Sequence, residues 1–114
     1  MRRTMLLFRP AFFLLLILAT ACASAAEPAP VGPASVEITK FAFAPKEITI
    51  APGTRLVWIN HDETPHTISA SDKGFVSKAI DTDDRFERVF ASEGDFSYFC
   101  TLHPFMTGIV HVRK

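Results

Sequence analysis

The chain has 114 residues, which fits one small domain, and it carries 12 basic and 12 acidic residues. This balance excludes a strongly basic protein of the kind that neutralises nucleic-acid phosphates, so no nucleic-acid partner is expected. The two cysteines, one of them in an apolar N-terminal segment, leave no room for a disulfide-rich scaffold.

The N-terminal segment 1–25 has the composition of a secretory signal peptide. Positive Met1-Arg2-Arg3 precedes an almost wholly apolar run over 12–21, and Ala23-Ser24-Ala25 supplies an A-x-A cleavage pattern. The apolar run is too short to span a bilayer, which needs roughly 20 residues. We therefore expect cleavage after Ala25, a periplasmic location and no transmembrane span in the mature chain.

Cleavage changes both the charge and the cysteine count. Loss of three arginines leaves nine basic against 12 acidic residues, a net charge of −3, which favours a partner with a basic docking face. Cys22 follows Ala19-Thr20-Ala21, which weakly resembles a lipoprotein box, so lipid anchoring is the minor alternative. If Cys22 is removed, Cys100 has no disulfide partner in the domain and is an intermolecular bridge, a reactive thiol or a metal ligand.

The body of the chain predicts strands and no helix. After a Pro/Ala-rich linker over 26–34, apolar residues recur with a period of two, and turn residues separate the runs. No window of ten or more residues carries a helical apolar stripe. This pattern predicts an all-β sandwich of seven or eight strands over 35–114. The clearest runs are Val36–Thr39, Glu47–Ile50, Leu56–Ile59, Phe86–Phe90, Phe96–Cys100 and Gly108–Val112.

The last two runs are joined by a loop that carries three potential metal ligands. Cys100, His103 and Met106 follow one another at steps of three residues, and His66 lies after the turn that ends the Trp58 strand. If both strand ends lie at one pole of the sandwich, four donors converge there. One thiolate, two imidazoles and a thioether form the donor set of a blue-copper electron-transfer site, whereas structural zinc sites favour several thiolates.

Each of these residues alone has a simpler interpretation. A single histidine is usually solvated or hydrogen-bonded, a single methionine usually fills the core, and a single cysteine is usually an inert buried thiol. The combined spacing favours the metal site. His61 and His111 lack such a context and are expected to face solvent.

Several segments together resemble the cupredoxins, and within them most closely the amicyanins. The Cys-x2-His-x2-Met spacing is similar to the short ligand loop of the amicyanins. The segments are Phe41-Ala42-Phe43-Ala44-Pro45, Ile48-Thr49-Ile50, Gly53-Thr54, Val57-Trp58-Ile59-Asn60, Thr64-Pro65-His66-Thr67, Gly94-Asp95-Phe96-Ser97-Tyr98-Phe99-Cys100 and His103-Pro104-Phe105-Met106-Thr107-Gly108.

The resemblance implies a Greek-key sandwich with one type 1 copper ion. The implied ligands are His66, Cys100, His103 and Met106. It further implies that the edge of His103 is the electron port. The surrounding apolar patch would be formed by Pro65, Pro104 and Phe105.

The resemblance also implies supporting contacts and partners. Asn60 would tie the His66 loop to the ligand loop, and the Thr67 backbone N–H would point at the thiolate. The expected partners of this monomer are redox proteins, a c-type cytochrome or a quinoprotein dehydrogenase. Asp81-Thr82-Asp83-Asp84 is either a solvated turn or a docking patch for such a partner.

Three function classes compete at this point. An electron carrier, which is not an enzyme, fits the donor set best. A copper-delivery protein would use the same donors without rapid redox exchange. An enzyme with Cys100 as nucleophile and His103 or His66 as base would need an orienting third group, and none stands out.

Overall fold

The computed structural model describes residues 33–114. The expected signal peptide over 1–25, Cys22 within it, and most of the linker over 26–34 therefore lie outside the described residues. The first strand begins at Ala34, next to the predicted start of the domain at residue 35.

Residues 33–114 form eight strands and no helix, which confirms the all-β prediction. The shortest strands, β2 and β5, have three and two residues, too few to show an alternating pattern. The strands are β1 Ala34–Thr39, β2 Ala42–Ala44, β3 Glu47–Ile50, β4 Thr54–Asn60, β5 Ser69–Ala70, β6 Arg85–Phe90, β7 Gly94–Phe99 and β8 Thr107–Val112. A helix long and apolar enough to cross a membrane is not found in this part of the chain.

The strands form two four-stranded sheets in the orders β2-β1-β4-β6 and β3-β8-β7-β5. The β1–β4 and β3–β8 pairs are parallel, and the other pairs are antiparallel. Parallel neighbours cannot be joined by a tight hairpin, so the chain passes repeatedly from one sheet to the other. The result is the predicted Greek-key sandwich.

The core lies between the sheets and is rich in aromatic side chains. Trp58 of β4 is fully buried, and its ring lies 5.5 Å from that of Tyr98 of β7, with an interplanar angle of 82°. Phe86 and Phe90 of β6 pack on the same indole. Burying a large apolar side chain stabilises a fold by roughly 1.5–3 kcal/mol, so these rings are a major part of a small core.

The inner face of β8 is fitted closely to Tyr98. Gly108 is paired with Tyr98 in the β7–β8 ladder, and a Cβ atom on Gly108 would lie 2.4 Å from the Tyr98 hydroxyl oxygen. Tyr98 is 1% exposed, so its ring has little space to move into. The absence of a side chain at Gly108 is therefore a packing requirement.

We predict that Gly108→Ala destabilises the domain by about 1–3 kcal/mol, because the new methyl group overpacks the core. Urea denaturation of the mature domain measures the change in free energy of unfolding. Thr107→Ala, at the exposed preceding position, is the control and should stay within about 0.5 kcal/mol of wild type. Equal losses in the two variants would contradict the packing argument.

Candidate metal centre

Two loops at one pole of the sandwich bring together three of the four residues singled out by the sequence. His66 lies between β4 and β5, and Cys100 and His103 lie on the loop 100–106 between β7 and β8. The Cys100 Sγ atom is 3.8 Å from Nδ1 of His66 and 3.8 Å from Nδ1 of His103. All three donor atoms lie within 4.8 Å of one another.

Met106 closes the loop directly before β8. Its backbone N–H donates to the His103 carbonyl at 2.9 Å, and its carbonyl accepts from the Cys100 N–H at 3.1 Å. These two bonds fold the loop tightly around His103. The Met106 side chain is 2% exposed and belongs to the hydrophobic core at this pole.

The site is buried on one side and open on the other. His66 and Cys100 are fully buried, whereas His103 is half-buried and reaches the surface. Leu102 and Phe105 beside it are 54% and 72% exposed. Pro65 and Pro104, which the family resemblance assigned to an apolar patch, are also exposed.

The Cys100 sulfur is held by Thr67, the residue after His66. The Thr67 backbone N–H donates to Sγ at 3.3 Å, as the family resemblance implied, and its hydroxyl lies 3.8 Å from the same atom. That hydroxyl also accepts from the Thr101 N–H at 2.8 Å and lies 2.7 Å from the Thr101 hydroxyl. Thr67 and Thr101 therefore join the two loops, a role of Thr101 that the sequence did not reveal.

Asn60 does not have the role expected from the family resemblance. Its side-chain amide donates to the carbonyls of Thr64 at 3.0 Å and Ile80 at 2.9 Å, and its Oδ1 accepts from the Asp62 N–H at 2.9 Å. The expectation that Asn60 ties the two ligand loops is wrong. The amide is fully buried at the end of β4, where carbonyls of its own loop and of Ile80 are its nearest partners.

Asp62 is a hydrogen-bond centre that sequence reasoning missed. Its Oδ2 accepts from Nε2 of His66 at 2.8 Å, so the ring nitrogen facing away from Cys100 is held by a carboxylate. Desolvation by burial raises the pKa of Asp62, but hydrogen bonds from the Phe41 N–H, His66 and the Lys40 N–H outweigh it and lower the pKa. Asp62 is thus held as the anion.

The other two histidines lie away from the site. His61 pairs with Glu37, and His111 lies on the outer face of β8 with its Nδ1 2.6 Å from Asp95 Oδ1. A hydrogen bond to Asp95 raises the pKa of His111, and the same bond lowers the pKa of Asp95. Both histidines contact surface carboxylates, in keeping with the solvent-facing positions expected for them.

The donor chemistry fits copper better than structural zinc. One sulfur and two imidazole nitrogens meet at a single point, and the nearest carboxylate, Asp62, is bonded to the far side of the His66 ring. A single soft thiolate with imidazoles is typical of copper sites, whereas structural zinc is usually held by two or more thiolates in a closed tetrahedron.

Comparison with known proteins agrees with this geometry. A family model described as a cupredoxin-like domain matches residues 11–112. The chain belongs to the cupredoxin family. Amicyanin-alpha of Methylorubrum extorquens is 31% identical over 101 residues, covering 84% of this chain and 85% of that protein. Within the cupredoxins the chain is therefore amicyanin-like.

Solved structures show the same relationship. A purple cupredoxin from Nitrosopumilus maritimus is 33% identical with a TM-score of 0.67, covering 70% of this chain and 99% of that chain. The Cu(I) form of an amicyanin variant is 30% identical with a TM-score of 0.68, covering 77% and 88%.

The same fold also occurs inside an enzyme. A copper-containing nitrite reductase from Thermus scotoductus is 27% identical with a TM-score of 0.68, but this cupredoxin spans only 24% of that chain. Cupredoxin architecture by itself therefore does not separate carriers from enzymes, and the distinction depends on the groups around the metal site.

We predict that Thr67→Val lowers the stability of the metal-free domain by about 1–2 kcal/mol, because the Thr101 N–H loses its acceptor. Valine keeps the shape of threonine and the backbone N–H that contacts Cys100. Thr67→Ser, which keeps the hydroxyl, is the matched control and should retain most of the stability. Chemical denaturation measures both, and a Thr67→Val domain as stable as wild type would contradict the role of this hydrogen bond.

Proposed function

We propose that this cupredoxin is a periplasmic electron carrier that binds one type 1 copper ion through His66, Cys100, His103 and Met106. The observation that carries the proposal is the convergence of one cysteine sulfur and two imidazole nitrogens within 4.8 Å in a cupredoxin fold. Met106 ends the same loop and would supply the weak axial thioether. The export pattern over 1–25 supports the periplasmic location.

The groups around the donors suit electron transfer rather than substrate chemistry. Copper, when bound, supplies reversible exchange of one electron between Cu(I) and Cu(II). Thr67 and Thr101 fix the sulfur, and Asp62 fixes the His66 ring. Because these bonds hold the donors in place without the metal, little rearrangement should accompany a change of oxidation state.

The edge of His103 is the proposed electron port. It is the half-buried member of the three-residue cluster, and exposed apolar side chains surround it. Such a patch can dock a redox partner over a short distance without a large desolvation cost from charged groups. The patch consists of the exposed residues Pro65, Leu102, Pro104 and Phe105.

The charge of an acidic loop beside this pole favours a partner with a basic surface, such as a c-type cytochrome or a quinoprotein dehydrogenase. Asp81, Asp83 and Asp84 are exposed, and the Thr82 hydroxyl donates to the Asp62 carbonyl at 2.8 Å. The Asn60 carbonyl also accepts from the Asp83 N–H at 2.8 Å. The acidic loop is thus attached to the loop that carries His66, where its charge can steer an approaching partner.

We predict that adding Cu(II) to the mature domain gives an intense thiolate-to-copper absorption band that disappears and returns through reduction and reoxidation. Cys100→Ser should abolish the band, because the sulfur donor is lost. Met106→Leu should keep copper but raise the potential, since loss of the weak axial donor favours Cu(I). A colourless copper adduct would contradict the carrier function, and a coloured adduct without reversible redox would favour copper delivery.

We predict that Asp83→Asn with Asp84→Asn slows association with a basic c-type cytochrome by about threefold or more at low ionic strength, and that salt removes the difference. Stopped-flow mixing of the reduced protein with the oxidised cytochrome measures the rate. Asp72→Asn is the control, because Asp72 lies in a turn beyond β5, away from the copper pole. The preceding residue, Ser71, donates its backbone N–H to the carbonyl of Ser97 in β7. An equal rate in all three proteins would rule out docking through the acidic loop.

A further inference from the structure

The turn between β1 and β2 has an unusual backbone. Lys40 and Phe41 form its two central residues, and both have positive φ angles of 51° and 56°. Two-residue hairpin turns of this kind normally use Asn-Gly or Asp-Gly, because side chains with a Cβ disfavour positive φ. Neither lysine nor phenylalanine is suited to it. Such strain persists where the surrounding structure holds it, and it is concentrated at functional sites.

The Asp62 carboxylate holds this turn in place. Its Oδ1 accepts from the Lys40 N–H at 2.7 Å, and its Oδ2 accepts from the Phe41 N–H at 3.0 Å. The same Oδ2 accepts from Nε2 of His66. One carboxylate, with its side chain only 13% exposed, therefore joins the β1–β2 turn directly to a proposed copper ligand.

The turn places the Phe41 ring against both imidazoles. Its centroid lies 5.4 Å from that of His66 at an interplanar angle of 87°, and 5.1 Å from that of His103 at 80°. Both are favourable edge-to-face arrangements. Among residues 33–114, Phe105 also approaches an imidazole, but it contacts His103 alone, with the centroids 6.1 Å apart.

Phe41 also forms one wall of a solvent cleft beside the site. The cleft has a volume of about 110 Å³ and reaches Met106. Lys46 is the charged side chain among its lining residues, so the cleft has a positive group where a small anion could enter. The lining residues are Phe41, Ala42, Phe43, Lys46, Phe105, Met106 and Thr107.

We propose that Phe41 is a positioning residue that fixes the orientation of both imidazoles and closes the path from this cleft to the metal donors. Asp62 is its anchor, because the carboxylate maintains the strained turn that points the ring at the site. This inference rests on the proposed copper site and adds a third loop to it. Its consequence is that water and small anions are excluded as additional ligands, so the coordination remains the same in both oxidation states.

The test is an azide titration of the Cu(II)-loaded protein, followed by visible absorption and electron paramagnetic resonance. Phe41→Ala should bind azide at least about tenfold more tightly than wild type, because the ring no longer blocks the cleft. Phe41→Leu should give an intermediate affinity, since leucine fills part of the space. Val89→Ala is the control, and its azide affinity should stay close to that of wild type because Val89 is an exposed apolar residue of β6 that does not line the cleft.

Asp62→Asn keeps the ring but removes the anchor, because an amide cannot accept all three N–H groups. Asp62→Asn should bind azide with an affinity between those of wild type and Phe41→Ala. If Phe41→Ala does not fold, the azide affinity of Asp62→Asn tests the inference in its place. Unchanged azide affinity in the folded Phe41 and Asp62 variants would overturn the inference. So would an equal gain in Val89→Ala. Absence of the thiolate band in the wild-type protein would instead show that the copper-site proposal itself has failed.

Discussion

The hydrogen bond from the Thr67 backbone to the Cys100 sulfur is the contact on which the site depends. It joins two loops whose residues are 33 positions apart in the chain, at 3.3 Å. The Thr67 hydroxyl strengthens the junction by bonding to Thr101, the residue after Cys100. With the loops joined at this point, the two imidazoles are brought to the same sulfur atom without requiring a metal to gather them.

Asp62 holds His66 from the side that faces away from Cys100. Its carboxylate holds the far nitrogen of the imidazole and two backbone N–H groups of the β1–β2 turn. A partly buried carboxylate with three N–H donors is well satisfied, so it can act as a rigid link between the turn and His66. The proposed metal centre is consequently bordered by three loops rather than two, and Phe41 belongs to the turn with two consecutive positive φ angles.

The sandwich beneath the site explains why these loops can be held so firmly. Trp58 and Tyr98 pack across the two sheets directly under the ligand loop, and Gly108 leaves the space that the Tyr98 ring occupies. Cys100 and Met106 belong to the same hydrophobic cluster as these rings. The donors are therefore anchored in a close-packed interior, where small displacements are costly, while His103 alone reaches the surface. A rigid interior with one exposed edge is the arrangement that a carrier of single electrons needs.

The sequence by itself determined the strand class, the sandwich and the candidate ligands, because these depend on local patterns. Period-two alternation in runs such as Val36–Thr39 and Gly108–Val112 can be recognised from neighbouring residues. The same is true of the three-residue steps that separate Cys100, His103 and Met106. Only the tertiary structure decided the rest. Strands β2 and β5 are too short to have a pattern, and Asn60 gave no sign that it would bond to Ile80 instead of the ligand loop. The roles of Asp62, Thr101 and Phe41 depend on contacts such as Asp62 with Phe41 and Thr67 with Thr101, which join residues 21 and 34 positions apart, and no local pattern encodes them.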